Sequence, residues 1–231
     1  LGLKVIIIEK DNFLGGVCLN RGCIPSKALL HISEIIDTSK HSENIGIKFN
    51  SPKIDIKKIN KWKKQVVDSL SSGINMLSKK RNIDIINGRA SFLSANMISV
   101  SDNQNKTIKI NFESCIIATG SKAIMLDHLY NNNSNIIGSK EALELNKIPK
   151  KMLIIGGGYI GLELGSVYNS LGTNITIAEF FPNLLSMADQ DLVDVLYKKL
   201  NNEFTNIYLS TEVTKLESKN NKVIATLKNK N

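Results

Sequence analysis

Two stretches of the 231-residue chain could do chemistry: a pair of thiols five residues apart and a glycine turn of the kind that cradles phosphate. Cys18 and Cys23 lie in Gly15-Gly16-Val17-Cys18-Leu19-Asn20-Arg21-Gly22-Cys23-Ile24-Pro25-Ser26-Lys27. Along a regular helix, residues five apart are separated by about 7.5 Å, beyond the ~7 Å Cα limit for a disulfide. A bond between them therefore needs an irregular, glycine-loosened backbone before a helix settles at Pro25, and such a bond would be exchange-competent rather than structural. Cys23, near that helix start, would have its thiolate stabilised by the dipole. Zinc is the other use of two cysteines. With no second pair, and no companion for His31 at ligand spacing, no metal site is expected.

The second stretch is Gly156-Gly157-Gly158-Tyr159-Ile160-Gly161. It follows a strand-like run, Met152 to Ile155, and opens a helix with apolar Leu162, Leu164, Val167, Tyr168 and Leu171. Glu179 closes the next strand roughly 20 residues on, the position at which a dinucleotide fold places its ribose acceptor. Gly156 permits the tight turn, Gly158 lets the backbone approach a pyrophosphate, and Gly161 allows close helix packing, with partial positive charge from the helix N-terminus. Glu179 would accept hydrogen bonds from a ribose 2′-OH and repel a 2′-phosphate. With Phe180 and Phe181 beside it and no arginine nearby, NAD is favoured over NADP.

The elements that must position these residues repeat. Leu1-Gly2, a strand and Glu9 match Leu171-Gly172, a strand and Glu179. Glu9 is therefore expected to serve a second adenosine ribose, and two dinucleotides in one chain suggest FAD plus NAD. If the copies are related, a second glycine turn belongs before residue 1, and the chain is expected to be the interior of a longer one. The fold class expected is α/β, with two Rossmann-like dinucleotide-binding domains, both incomplete: residues 1–147 for FAD with the cysteine pair, and residues 148–231 for NAD. Leu3 to Ile8 reads as a strand and Ile24 to Ile36 as a helix after Pro25. Apolar residues from Ile56 to Leu77 recur at three- and four-residue steps with lysines on the other side, an amphipathic helix. Ile83 to Ile86, Met97 to Val100, Thr107 to Ile110 and Cys115 to Ala118 read as short strands, Asn131 to Ser134 as a loop, and Pro149 as a boundary. Cys115, inside an apolar run, is expected to be a buried core thiol.

The run from Gly15 through His31 resembles the active-site helix of the pyridine nucleotide-disulfide oxidoreductases, the flavoprotein disulfide reductases. Glutathione and mercuric reductases share its C-x-x-x-x-C frame. The Ile-Pro-Ser-Lys-Ala-Leu-Leu continuation and Glu179 are more similar to the members that oxidise dihydrolipoamide. The resemblance covers essentially the whole chain, through Glu9, both cysteines, Ala118-Thr119-Gly120 and Gly156 to Gly165. It implies that Cys23 faces the flavin as the charge-transfer thiol and that Cys18 exchanges with substrate. Lys27 would sit near flavin N5, paired with Glu163, and Tyr159 would cover the flavin face until nicotinamide enters. Glu9 and Ala90, the latter in the turn Asn87 to Ala90, would contact the adenosine half of FAD. Gly15, Gly16, Thr119 and Gly120 would line the rest, and Val213 would meet the NAD adenine. The implied activity is oxidation of protein-bound dihydrolipoamide with NAD, by a cytoplasmic homodimer acting on the lipoyl domain of a 2-oxo-acid dehydrogenase acyltransferase. The family's histidine base with its glutamate, its Gly-Asp pair in the later FAD segment and its N-terminal glycine turn have no counterpart here. Arg21 stands where a small or apolar residue is expected; its charge would favour a thiolate and its bulk would press on the loop.

Composition excludes other classes. At 42% hydrophobic and 22% charged residues the chain can bury a core, which rules out a disordered tail. Thirty basic and 21 acidic residues give +9, of which Lys40 to Arg81 supplies 11 basic against 3 acidic. One lysine-faced helix reads as a solvated face rather than a nucleic-acid surface. No run approaches the ~18 apolar residues a membrane span needs, and three cysteines are too few for a disulfide framework.

Overall fold

The computed structural model describes residues 2–102, 104, 106–124, 126, 129, 133–220 and 222–229. The chain forms two compact units, one of residues 1–25 and 64–122, the other of residues 26–63 and 123–231. The boundary expected at residue 147 falls inside the second unit.

In the first unit, β1 (Ile6–Glu9) leads to a short helix, α1 (Gly16–Arg21), and then to α2 (Cys23–His41). Helix α3 (Ile56–Lys80) follows; like α2, it contributes residues to both units. Strand β2 (Asp84–Asn87) pairs with β1 in parallel, Ile6 opposite Asp84 and Glu9 opposite Asn87. Strands β3 (Arg89–Ser94), β4 (Met97–Ser101) and β5 (Thr107–Asn111) form an antiparallel meander with β4 in the middle. Ile98 and Val100 on β4 are buried while their neighbours are half-exposed, the period-two pattern of a strand with one covered face.

The second unit holds helix α4 (Ser139–Glu144) and a three-stranded parallel sheet of β6 (Lys151–Ile155), β7 (Asn174–Ala178) and β8 (Asn206–Tyr208), β7 central. Helix α5 (Tyr159–Ser170) connects β6 to β7, and α6 (Gln190–Glu203) connects β7 to β8. Long strands β9 (Thr211–Lys219) and β10 (Lys222–Asn229) pair as an antiparallel hairpin. Ile175 and Ile177 on β7 are fully covered, with Leu164 and Val167 of α5, Leu200 of α6 and Leu29 of α2 in the same cluster. Every β–α–β crossover buries its helix on the sheet in this way. Among the described residues no helix is long and apolar enough to cross a membrane.

The C-terminus of α4 is tied down by side chains from two other helices. Tyr168 Oη donates to Ala142 O at 2.9 Å, Asn60 Nδ2 donates to Leu145 O at 3.2 Å, and Lys63 Nζ donates to Leu143 O and, at 2.8 Å, to Asn60 Oδ1. These are carbonyls of the helix end, where intrahelical donors run out; Ala142 O also accepts the Leu145 N–H at 3.2 Å. Burial lowers the Lys63 pKa, and Glu144 opposes that shift. Lys63 therefore departs from the solvated lysine face expected for α3.

Several boundaries differ from expectation. Strand β1 begins at Ile6, three residues late, because β2 offers only four residues to pair with it. Helix α2 starts at Cys23 and runs on to His41. Arg89 and Ala90, expected in a turn, belong to β3. Cys115 to Ala118 forms no strand, and Cys115 is exposed rather than a core thiol. That apolar run lies uncovered, with Ile116 91% exposed, because no described strand pairs with it. Asn131, Asn132 and His128 lie outside the described residues.

The Tyr168 phenol predicts an alkaline transition. Burial raises its pKa from 10.0 to about 12, so the folded state favours the neutral phenol. The stability it contributes is complete below pH 10 and is lost as pH rises through 12. Tyr168→Phe removes one of the two donors to Ala142 O, leaving the Leu145 N–H at 3.2 Å, and is expected to cost about 1–1.5 kcal/mol at pH 8. By pH 11 the gap to the parent should narrow by about 1.4 kcal/mol, one pH unit's worth of linkage. Urea unfolding at the two pH values measures it; a gap that does not change would refute this account.

Candidate active site

The thiols sit at the head of α2 in the first unit. Glu9 ends β1, and its Oε1 accepts the Asp11 N–H at 2.9 Å. Gly15, with φ of 104°, turns the chain into α1, on which Gly16 and Cys18 stand. Helix α1 ends at Arg21, Gly22 breaks the path with φ −144° and ψ −111°, and Cys23 opens α2. A Cβ on Gly22 would lie 3.1 Å from Val17 O and 3.4 Å from Cys18 Cα, so the break is tight against the residues around Cys18. The irregularity a dithiol needs is thus one residue between two helices, not a loosened stretch reaching Pro25, which is already the third residue of α2. Both cysteines are exposed. Arg21 does not present an unpaired charge to the thiols: its Nη2 pairs with the Asp11 carboxylate and its guanidinium lies 5.9 Å from the Phe13 ring centroid. Gly88 N–H donates to Glu9 O at 2.9 Å, which starts β3 and its Ala90 beside the end of β1. Thr119 and Gly120 stand in an exposed stretch without regular structure.

The second unit carries the glycine turn between β6 and α5. Gly156 has φ of 101°, a left-handed conformation that side chains rarely adopt. A Cβ on Gly161 would lie 2.6 Å from Gly156 O, so the helix can approach the turn only without one. Gly158 faces open space, nothing lying within 4 Å of where its Cβ would be. Tyr159 and Ile160, in the first turn of α5, are exposed. Glu179 is 7% exposed; its Oε2 accepts the Gly157 N–H at 2.5 Å and its Oε1 the Phe181 N–H at 2.7 Å. Phe180 and Phe181 are half-exposed and meet edge to face, centroids 5.4 Å apart.

Lys27 of α2 and Glu163 of α5 are brought together, Nζ to Oε1 at 3.1 Å. Sequence reasoning missed the third member of this group. Ser26 is buried, and its Oγ donates to Glu163 Oε2 at 2.8 Å. A serine in a first helical turn is an ordinary choice, and nothing in the pattern singled it out. Val213 departs from expectation. It is 5% exposed and packs with Leu129 and Ala178, so its side chain belongs to the core and only its backbone is left to meet a nucleotide. A histidine beside a glutamate does occur: His31 Nδ1 lies 3.8 Å from Glu34 Oε2, both exposed and one turn apart on α2. Among the described residues, no group of three or more His, Cys, Asp or Glu is placed to hold a metal ion.

A parallel β–α–β unit with its glycine turn and strand-end acid, in a chain that also carries a helix-borne dithiol, defines a dinucleotide-binding oxidoreductase fold. Comparison with known proteins narrows the class. The chain belongs to the pyridine nucleotide-disulphide oxidoreductase family, whose model matches residues 1–231. A dihydrolipoyl dehydrogenase from Vibrio cholerae serotype O1 is 42% identical over 230 residues, covering all of this chain and 48% of its own length. One from Buchnera aphidicola subsp. Acyrthosiphon pisum is 41% identical over 231 residues, 48% of its length. One from Geobacillus stearothermophilus is 44% identical over 200 residues, which is 87% of this chain and 42% of its own. The chain spans about half the length of the curated relatives it matches. Among solved structures, LpdA from Mycobacterium tuberculosis shares the fold at a TM-score of 0.86 and 18% identity, covering 97% of this chain and 49% of its own. A Cu(II) complex of the HOCl-induced flavoprotein disulfide reductase RclA from Escherichia coli matches at 0.81 and 27%, covering 97% of this chain and 48% of its own.

The two glycines differ in what a methyl group would meet, and stability measures the difference. Gly161→Ala drives a Cβ into Gly156 O and is expected to cost about 1–3 kcal/mol in urea unfolding. Gly158→Ala, directed into open space, should change stability by less than about 0.5 kcal/mol. Equal losses at the two positions would contradict the close approach.

Proposed function

We propose that the protein carrying this chain is a dihydrolipoyl dehydrogenase: it oxidises protein-bound dihydrolipoamide through Cys18 and Cys23, with FAD and NAD, in the service of 2-oxo-acid dehydrogenase complexes. The observation that carries the reading is the pair of exposed thiols on either side of the Gly22 break, at the head of a helix that also bears Lys27. The relatives named dihydrolipoyl dehydrogenase, at about 40% identity over the whole chain, support the substrate. A cytoplasmic homodimer acting on a lipoyl domain belongs to the same proposal, as does the division into an FAD half at residues 1–147 and an NAD half at 148–231.

The residues present fit both groups. For NAD, open space over Gly158, the unsatisfied amides of the first turn of α5 and the strand-end Glu179 make an anion cradle with a ribose acceptor beside it. Glu179 already accepts two backbone amides, and a carboxylate keeps further lone-pair sites for a 2′-OH. For FAD, Glu9 closes β1 as Glu179 closes β7, and Ala90, Gly15, Gly16, Thr119 and Gly120 would hold the remainder. FAD, when bound, takes the two electrons of the reduced dithiol, and NAD carries them off as hydride.

The chain's own part is thiol–disulfide exchange. A substrate thiolate attacks Cys18 Sγ of the closed pair, forming a mixed disulfide and releasing the Cys23 thiolate. The second substrate thiolate attacks its partner sulfur in that mixed disulfide, which closes the substrate disulfide and releases Cys18. Two substrate thiols are oxidised and two cysteines reduced. Lys27, held by Glu163, presents a cation next to the position proposed for the flavin ring, and Ser26 fixes the carboxylate that holds it. Tyr159, exposed on the first turn of α5, is free to screen that ring.

Turnover separates this reading from another disulfide reductase, which the 27% identity to RclA keeps as the second candidate. NAD reduction with dihydrolipoamide, and none of NADPH oxidation with glutathione disulfide, is the expected result; the reverse would replace the proposal. In the holoenzyme, Cys23→Ser should abolish the long-wavelength absorbance that appears on two-electron reduction, and an unchanged band removes Cys23 from its role. Gly158→Ala, expected to be nearly neutral in stability, should weaken NAD binding about tenfold in calorimetric titration because its methyl group occupies the phosphate's place; unchanged affinity would move the cradle elsewhere.

A further inference from the structure

The five residues between β1 and Gly15 are tied to α1 more firmly than a surface turn requires. Asn20 Nδ2 donates to Leu14 O at 3.0 Å and to Gly16 O at 2.9 Å, and Leu14 and Leu19 are both buried. Asp11 has every polar group engaged. Its N–H donates to Glu9 Oε1, its carbonyl accepts from Asn87 Nδ2 at 2.9 Å, and its carboxylate pairs with Arg21 Nη2. Arg21 is further placed over Phe13, and its Nε is buried without a hydrogen-bond partner among the described residues. Burying that donor costs free energy, which the fold tolerates to keep the guanidinium where it is.

Stability does not explain the pair. The Arg21 side chain is 36% exposed and that of Asp11 26%, and ion pairs of that kind contribute little. Their place in the chain explains more. Arg21 is the last residue of α1, one turn after Cys18 on the same face, and it is followed at once by Gly22, the break before Cys23. A glycine between two helices leaves the direction of the first one open to many backbone conformations. Something outside the break must select one.

We propose that Asp11 and Arg21 are positioning residues for the dithiol: their ion pair anchors the last turn of α1 to the β1 loop and so fixes how Cys18 meets Cys23 across Gly22. The inference rests on reading Cys18 and Cys23 as a redox pair. Asp11, already bound to the strand-end Glu9, makes that anchor continuous with the edge of the β1–β2 ladder.

Equilibration with glutathione tests the pair's geometry whatever its electron acceptor. In P(SH)2 + GSSG ⇌ P(S–S) + 2 GSH, the protein disulfide forms as glutathione disulfide is reduced to two thiols, and the equilibrium constant reads how well the two sulfurs are placed. With Cys115→Ser throughout, so that of this chain's three cysteines only the pair exchanges, Asp11→Asn and Arg21→Met are each expected to lower that constant about fivefold, the upper end of what a part-exposed ion pair is worth. Exchanging the partners, Asp11→Arg with Arg21→Asp, should restore it to within about twofold of the parent. Constants unchanged in the single variants, or a loss that the exchange does not recover, would overturn the inference. If the parent pair itself never closes, the dithiol reading falls; if it closes and the substitutions do not matter, only the role of Asp11 and Arg21 does.

Discussion

A buried carboxylate must be satisfied or it is expelled, and Glu179 is satisfied by the backbone of the site it serves. Its two oxygens accept the amides of Gly157, after β6, and Phe181, after β7. One side chain therefore stitches together the ends of two adjacent parallel strands at the point where the chain leaves the sheet. The rest of the turn follows from that. Gly157 is pressed between Glu179 and Leu184, where a Cβ would come within 2.4 Å of Leu184 Cδ2, and α5 starts with Gly161 against Gly156 O. Ribose recognition is then a second use of a group the fold already needs in place.

The same device recurs at β1. Glu9 closes its strand and accepts the amide two residues on, Asp11, as Glu179 accepts that of Phe181. The repeat of Leu-Gly, strand and Glu is thus matched by a repeated hydrogen bond as well as repeated composition. The copies differ in what surrounds them. β7 is paired on both sides and carries two fully covered isoleucines, whereas among the described residues β1 pairs with β2 alone and is half-exposed. A strand's length and burial are set by its partners, so two similar runs end as strands of different quality.

What could be read from the chain was whatever depended on local pattern. The glycine turn, the crossover helix and the strand-end acids came from spacing that one backbone geometry demands, and α3 from an apolar stripe. What could not be read depended on distant partners. Cys115 to Ala118 has the composition of a buried strand but no described strand to lie beside. Lys63 sits among solvated lysines in sequence, yet α4 ends where its ammonium reaches Leu143 O. The α6 stripe of Val193, Leu196 and Leu200 and the alternation along β9 were available signals that went unread, diluted by polar neighbours. Ser26 and Asp11 carry no motif at all; only folding shows what they touch.

Energetics also separates the Lys27–Glu163 pair from ordinary surface charge. Lys27 is 63% exposed, and an ion pair so placed is worth at most about 1 kcal/mol. Nor does the pair need to exist for packing, since the neighbouring helix contact is made by Ser33 and Ser170, whose hydroxyls lie 2.6 Å apart. Ser26 is different: its hydroxyl is buried, a buried hydroxyl must find an acceptor, and the acceptor it finds is Glu163. The serine orients the carboxylate, and the carboxylate holds the exposed ammonium of Lys27 in one place at little cost in stability either way. A charge fixed by a buried group but contributing almost nothing to folding is better explained by what it faces than by what it stabilises.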